Sequence, residues 1–232
     1  MATGMKCEQI IGIARRQHRK LLTLMESQAI LQRHSIPFVK NIFVKYPDEA
    51  AAAAKKIGFP VALKAVSPDV SHKTEFGALQ LGLESEAEVE QAFKKIVASI
   101  RKRRAKASIS GFVVQEMAGG QEVLVGGKKD AQFGQTVAFG AGGVFVEVYD
   151  DISFRVVPIS KADAGQMVRE VKAYRILQGY RGKTYDVAAV EKILLNVSKM
   201  LDKHQEIAEL DINPIFVRAK GAVAVDARIS LS

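Results

Sequence analysis

Five side chains in this sequence stand out for their chemistry: Lys64, His72, Asp211, Asn213 and Asp226. Lys64 closes the run Gly58-Phe59-Pro60-Val61-Ala62-Leu63-Lys64, whose short apolar core reads as a buried strand. An ammonium in that position needs a counter-charge, because an unpaired buried cation is costly or loses its proton. A nucleotide phosphate would supply it; so would an internal ion pair, or a side chain that snorkels out at the strand end. The chain then breaks at Ser67-Pro68-Asp69 into a polar, turn-forming loop that carries His72. His72 has no apolar neighbours at helical or strand spacing, so it is poorly suited to a packed core. Mostly neutral at pH 7, an imidazole there is a competent nucleophile towards phosphorus.

Near the C-terminus, Glu209-Leu210-Asp211-Ile212-Asn213-Pro214 alternates polar and apolar residues, as a half-buried strand does. Asp211 and Asn213 share one face, and Asp226 lies on the partner strand of a hairpin turning at Lys220-Gly221. Oxygen ligands converging from paired strands suit Mg²⁺, which is held by one or two carboxylates plus substrate phosphates. A polar face in water is the competing reading. Phe139-Gly140-Ala141-Gly142-Gly143 is likewise open between a tight hairpin and a loop whose N–H groups approach phosphate. Taken together, a phosphate lysine, glycine-rich strands, an oxygen cluster and a loop histidine describe nucleotide-dependent phosphoryl transfer.

The elements that must position these groups follow from periodicity. Gln9 to His34 reads as one amphipathic helix, ended by Ser35-Ile36-Pro37. A strand at Asn41–Val44 precedes a helix from Tyr46-Pro47-Asp48 to Gly58. The lysine strand, a strand at Ala78–Leu83 and a long helix from Ser85 complete a strand, helix, strand, strand, helix unit. From Gly111 the chain becomes strand- and glycine-rich; two helices follow, Lys161–Leu177 and Val187–Leu201. Strands at Ile207–Ile212, Ile215–Arg218 and Ala222–Ile229 end it. We expect a helical segment at 1–34, a first lobe at 35–107 and a second at 108–232.

Composition excludes several classes. The 232 residues, 48% apolar, suffice for a full α/β core. No apolar run approaches a membrane span, and Met1-Ala2-Thr3-Gly4-Met5-Lys6 has no secretory stretch, so a cytoplasmic protein is expected. Cys7 is the only cysteine, which argues against a disulfide framework or a cysteine metal site. The histidines are scattered at His18, His34, His72 and His204, which argues against a histidine-rich metal site. The net charge of +9 is concentrated in Arg15–Lys20 and Arg101–Lys106, without the interleaved aromatics that stack on bases. It suits phosphate-rich small ligands or an acidic partner subunit better than nucleic acid.

The motifs Gly58–Lys64, Ser67–Lys73, Phe139–Glu147, Gly179-Tyr180-Arg181-Gly182 and Leu210–Pro214, in this order and spacing, resemble one family over nearly the whole chain. It is the β subunit of ADP-forming acetyl-CoA synthetase (acetate–CoA ligase), an ATP-grasp protein related to succinyl-CoA synthetase. The resemblance implies an α/β (α+β) ATP-grasp fold of two lobes, with ATP or ADP bound between them. It implies that Lys64 binds phosphates and that Gln115, Glu116, Met117 and Ala118 form the hinge strand that meets adenine. Asn213 and Asp226 match Mg²⁺ ligands, His72 the phosphorylated histidine, and Asp211 the acid that orients it. Glu122, Glu147, Asp151 and Arg155 fall near the nucleotide site, with Glu122 and Arg155 as candidate nucleotide contacts. The family reaction is acyl-CoA + ADP + phosphate ⇌ carboxylic acid + ATP + CoA, and a CoA-binding α subunit, in an expected α2β2 assembly, supplies the acyl phosphate. The chain departs from the family pattern at Gly77-Ala78, where two glycines are usual, and at His34, where a glycine is usual. Two other readings stay open: a self-contained carboxylate–amine ligase, and a nucleotide- or RNA-binding regulatory module.

Overall fold

The structure, a computed structural model, describes residues 4–67, 76–142, 151–179 and 182–232. His72 and Glu147 lie outside the described residues. The chain forms two compact units, residues 39–117 and residues 1–38 with 118–232.

In the 39–117 unit, β1 (Asn41–Val44), α3 (Pro47–Ile57), β2 (Val61–Val66), β3 (Leu79–Leu83), α4 (Glu86–Arg103) and β4 (Gly111–Glu116) follow in order. The sheet runs β1-β4-β2-β3, with every neighbouring pair antiparallel. Helix α3 starts at Pro47, whose fixed φ suits a first turn and whose missing N–H has no partner to lose there. It ends at Gly58, whose φ of 98° is open only to glycine without strain. Helix α4 is capped by Ser85, whose hydroxyl accepts from the Glu88 N–H at 3.2 Å. Its final basic residues are exposed at the negative end of the helix dipole. Both helices pack on one sheet face: Val61, Leu63, Ala65, Phe112 and Val114 meet Ala50, Ala54, Val89, Phe93 and Ile96.

Strand β4 is the largest difference from the expected division at 107/108. It is an inner strand, paired with β1 on one side and β2 on the other, so its ladder bonds hold it in the 39–117 unit. The remaining elements form the other unit: α1 (Cys7–Arg16), α2 (Leu24–Arg33), β5 (Gln121–Asp130), β6 (Gly134–Ala141), β7 (Ile152–Val156), α5 (Lys161–Glu170), α6 (Tyr174–Leu177), α7 (Val187–Lys203), β8 (Ile207–Val217), β9 (Ala222–Ala224) and β10 (Ala227–Leu231). Their sheet runs β10-β8-β5-β6-β7, and β9 also pairs with β8. Val123, Val125, Val137, Phe139, Leu210 and Ile212 bury one face against Met167, Val168, Leu194 and Leu201 of α5 and α7.

The N-terminal segment is two helices rather than one. His18 takes a φ of 53°, and residues 20–22 are drawn onto the edge of β10: Leu231 N–H donates to the Lys20 carbonyl at 2.7 Å and Leu22 N–H to that of Ile229 at 3.0 Å. Thr23-Leu24-Met25-Glu26 then restarts the helix as a capping box. Arg19 forks onto Glu26, with Nη1 to Oε2 at 2.9 Å and Nη2 to Oε1 at 2.8 Å, and fixes the connection. The C-terminal strands differ as well. Residues 207–217 are one strand that runs through Pro214, whose carbonyl accepts from Val225 N–H at 3.0 Å, while the partner chain is interrupted at 225–226.

Candidate nucleotide and metal site

Side-chain alternation places the candidates on particular faces. In the 39–117 unit, Lys64 is central on β2, with Val113 of β4 on one side and Leu79 of β3 on the other. Its neighbours in β2, Leu63 and Ala65, face the helices, so Lys64 occupies the opposite sheet face together with Ala62, Val113 and Gln115. Lys64 and Gln115 are only 6% and 1% exposed, the two buried polar side chains of this unit among the described residues.

Asn41, which the sequence reading passed over, lies directly opposite Gln115 and therefore on the same face. Both its Oδ1 and Nδ2 are buried without a hydrogen-bond partner among the described residues. A buried amide left so costs about 1–3 kcal/mol, and a ligand or water that pairs with it recovers that cost. Its only signal in the sequence is an amide opening the apolar run Ile42-Phe43-Val44. Glu116 ends β4, and its carboxylate accepts from Lys40 N–H at 3.2 Å. The boundary between the two units falls between Met117 and Ala118.

In the other unit, Leu210 and Ile212 enter the core while Asp211 and Asn213 are exposed, as the alternation in the sequence requires. Glu122 follows the same rule, because Val123 beside it is core. Its face of β5 is therefore that of Asp211 and Asn213. Asn213 N–H donates to the Asp226 carbonyl at 3.2 Å, which sets Asp226 against β8 where β9 gives way to β10. The Asp226 carboxylate accepts from Ala227 N–H at 2.9 Å. Surrounding protein and the nearby Asp226 charge push the Asp211 carboxyl above its ordinary range, and Arg228, its cross-strand partner, partly offsets them. Two carboxyls that repel one another beside an amide oxygen form a hard-oxygen donor set suited to a divalent cation.

Arg155, a candidate nucleotide contact, and Asp151, expected near the nucleotide site, both have partners within this unit. Arg155 is opposite Val137, on the helix-covered face of the sheet. Its guanidinium is paired with Glu170 of α5 at 2.5 Å, which also raises its pKa. It therefore sits on the reverse face from Asp211 and Asn213. Both Asp151 oxygens accept backbone N–H groups, from Lys172 at 2.7 Å and Ala173 at 3.0 Å, so this carboxylate holds the start of α6. The glycine run, as far as Gly142, continues the β-ladder: Gly142 N–H donates to the Glu122 carbonyl at 3.0 Å. A Cβ on Gly142 would come within 2.7 Å of the Glu122 backbone, so close approach of strands explains this glycine.

Cys7, His34 and His204 are brought together, against the expectation drawn from their counts. The lone cysteine and two of the scattered histidines meet because three helix ends converge, a proximity that no sequence spacing encodes.

The family model for an ATP-grasp domain matches residues 13–231. The chain is 40% identical over 228 residues to the acetate–CoA ligase (ADP-forming) I subunit beta of Pyrococcus furiosus, spanning 97% of this chain and 98% of that one. It is 45% identical over 208 residues to acetate–CoA ligase (ADP-forming) I of Archaeoglobus fulgidus, spanning 89% of this chain but 30% of that longer one. Among solved structures it superposes on acetyl-coenzyme A synthetase 1 of Ca. Korarchaeum cryptofilum in complex with coenzyme A and Ca-AMPCP, with TM-score 0.95, 40% identity, and coverage of 98% of this chain and 100% of that chain. The same protein with coenzyme A and Mg-AMPPCP has a phosphohistidine segment pointing towards the nucleotide binding site; it matches with TM-score 0.87 and 39% identity over 98% and 100% of the two chains. The chain belongs to the ATP-grasp family and, within it, to the β subunits of ADP-forming acetate–CoA ligases.

Proposed function

We propose that this chain is the phosphoryl-accepting β subunit of an ADP-forming acyl-CoA synthetase. It acts with a CoA-binding α subunit, in an α2β2 assembly, on acetyl-CoA or a similar acyl-CoA. What carries the reading is the end-to-end correspondence with a chain named as subunit beta. The basic surface favours no RNA-binding reading over this one, since its larger run, Arg101–Lys106, is the exposed end of α4.

In this reading each residue has a stated task. Lys64 meets the nucleotide phosphates from the second face of its sheet, with the Asn41 amide as a further polar contact. Gln115, Glu116, Met117 and Ala118, at the junction of the units, supply the backbone edge for adenine. Asn213 and Asp226 hold Mg²⁺, and Glu122 lies on their face. When bound, Mg²⁺ neutralises phosphate charge and aligns the reacting oxygens. His72 is the carrier: an imidazole nitrogen takes the phosphoryl group from the phosphohistidine of the α subunit, whose N–P bond breaks as the new N–P bond on His72 forms. That bond then breaks as an ADP β-phosphate oxygen forms the new O–P bond of ATP. Asp211 orients the imidazole, and its raised pKa favours a carboxyl that gains a hydrogen-bond or cationic partner. Arg155 belongs to the sheet–helix packing rather than to nucleotide binding.

The test is ATP formation from acetyl-CoA, ADP and phosphate by the purified chain, with and without a cognate α subunit. Activity only in the mixture supports the reading. Ligase turnover by this chain alone with an amine acceptor would replace it.

A further inference from the structure

Cys7 is the first residue of α1, His34 follows the last residue of α2, and His204 follows the last residue of α7. The Cys7 Sγ and one ring nitrogen from each histidine lie within 4.8 Å of one another, and the two Nε2 atoms are 3.1 Å apart. The imidazoles meet edge to face, at 89° between planes. Cys7 and His204 are buried at 6% and 2% exposure, and His34 is half-buried.

We propose that these three residues form a transition-metal site for a borderline-soft divalent ion of the Zn²⁺ type, separate from the nucleotide site and its Mg²⁺ ligands. Thiolate and imidazole are the ligands that this class of ion prefers over Mg²⁺ or Ca²⁺. Ideal tetrahedral bonds of about 2.0–2.3 Å put ligand atoms roughly 3.3–3.7 Å apart, so the 3.1 Å nitrogen pair is close to this spacing and the sulfur, within 4.8 Å, closes by at most about 1 Å on binding. Three protein ligands leave the fourth position for water or an added thiolate.

The surroundings supply the remaining parts. The negative ends of α2 and α7 lie at the cluster and favour a cation, while the positive start of α1 at Cys7 opposes it but favours the thiolate form of that side chain. Glu206 lies 3.9 Å from His204 Nδ1, beyond hydrogen-bond distance but near enough for its negative charge to favour a cation beside the ring. Lys203 and Arg33 oppose a cation here; Glu8, whose carboxylate is 3.7 Å from Lys203, works against them. Burial, the facing His204 ring and Lys203 lower the His34 pKa to about 4. Burial raises the Cys7 thiol, so the metal must displace its proton: Cys–SH + Zn²⁺ gives Cys–S–Zn⁺ + H⁺, with the proton going to solvent. The ion would tie the N-terminal helices to the end of α7.

The experiment strips the full chain with chelator, then titrates Zn²⁺ by calorimetry and Co²⁺ by absorption. One equivalent with micromolar or tighter affinity, a thiolate-to-Co²⁺ charge-transfer band and a higher melting temperature are expected. Cys7→Ser and His34→Gln should each weaken uptake at least about 100-fold, the upper end for losing even an outer-shell partner, and Cys7→Ser should abolish the band. Circular dichroism and Mg-ADP binding check that both variants remain folded. Uptake without a thiolate band, uptake unchanged in Cys7→Ser, or no uptake at micromolar metal would each overturn the site. None of these readouts depends on synthetase activity, so failure here is distinct from failure of the proposed function.

Discussion

Arg155 and Asn213 both fell near the nucleotide site in the sequence reading, but the fold puts them on opposite faces of one sheet, and this makes a sharp comparison. Val137 is core and lies directly beside Arg155, whereas Leu210 and Ile212 are core and flank the outward Asp211. Arg155→Met removes an ion pair with Glu170 in which the side chains keep 28% and 48% of their exposure. Pairs of that kind are worth about 0–1 kcal/mol, so a small loss of stability and less than about a twofold change in Mg-ADP affinity are expected. Asn213→Ala removes a neutral oxygen from the exposed face of β8, where no packing is lost. If that oxygen meets a cation, the loss is about 1.5–3 kcal/mol, or roughly 10- to 150-fold in affinity. Calorimetric titration of Mg-ADP, with urea unfolding for stability, reads both numbers. Equal weakening of nucleotide binding by the two variants would refute the assignment of faces.

Glu26 gives a pH-dependent prediction. Burial works to raise its carboxyl, but the Arg19 fork and the Thr23 donors outweigh that and hold it below the usual carboxylate range. A depressed folded pKa contributes stability that is present above the unfolded value near 4.3 and is lost as pH falls through the folded one. Glu26→Gln should therefore cost about 1–2 kcal/mol at neutral pH, a cost that shrinks in urea titrations taken at progressively lower pH below about 4. The glycines give a paired prediction. Alanine at Gly142 would place its Cβ 2.7 Å from Glu122 backbone and 2.8 Å from Val123 nitrogen, which cannot move independently, for a cost of about 1–3 kcal/mol. Alanine at Gly127 meets first the tip of the core side chain Leu201 at 2.5 Å, a methyl that can give where backbone cannot, and should cost less than the Gly142 variant by the same measurement.

Much of this fold was legible because its strands and helices obey simple periods. The alternation from Glu209 to Asn213 predicted which residues of β8 face out, and the alanines between Pro47 and Gly58 predicted α3. The break at His18 was missed because Leu21, Leu22 and Met25 continue a helical spacing; a β-bridge to the far end of the chain overrides it, and only the Thr23–Glu26 capping box hints at the restart. The pairing of β4 with β1 and β2 was not legible, because periodicity identifies a strand but not its partners. For the site, residue type pointed to Lys64, Asp211, Asn213 and Asp226, while the face of Arg155 and the place of the Asn41 amide depend on register. Cys7, His34 and His204, separated by up to 197 positions, meet only through tertiary packing.

The central claim is a phosphoryl group carried on His72, and its most direct measurement is mass spectrometry with ³¹P NMR after incubation with Mg-ATP, with and without the α subunit. Wild type should hold an acid-labile, base-stable phosphate that passes to ADP, and His72→Ala should hold none. Confirmed nucleotide binding with no phosphohistidine in either chain would contradict the relay.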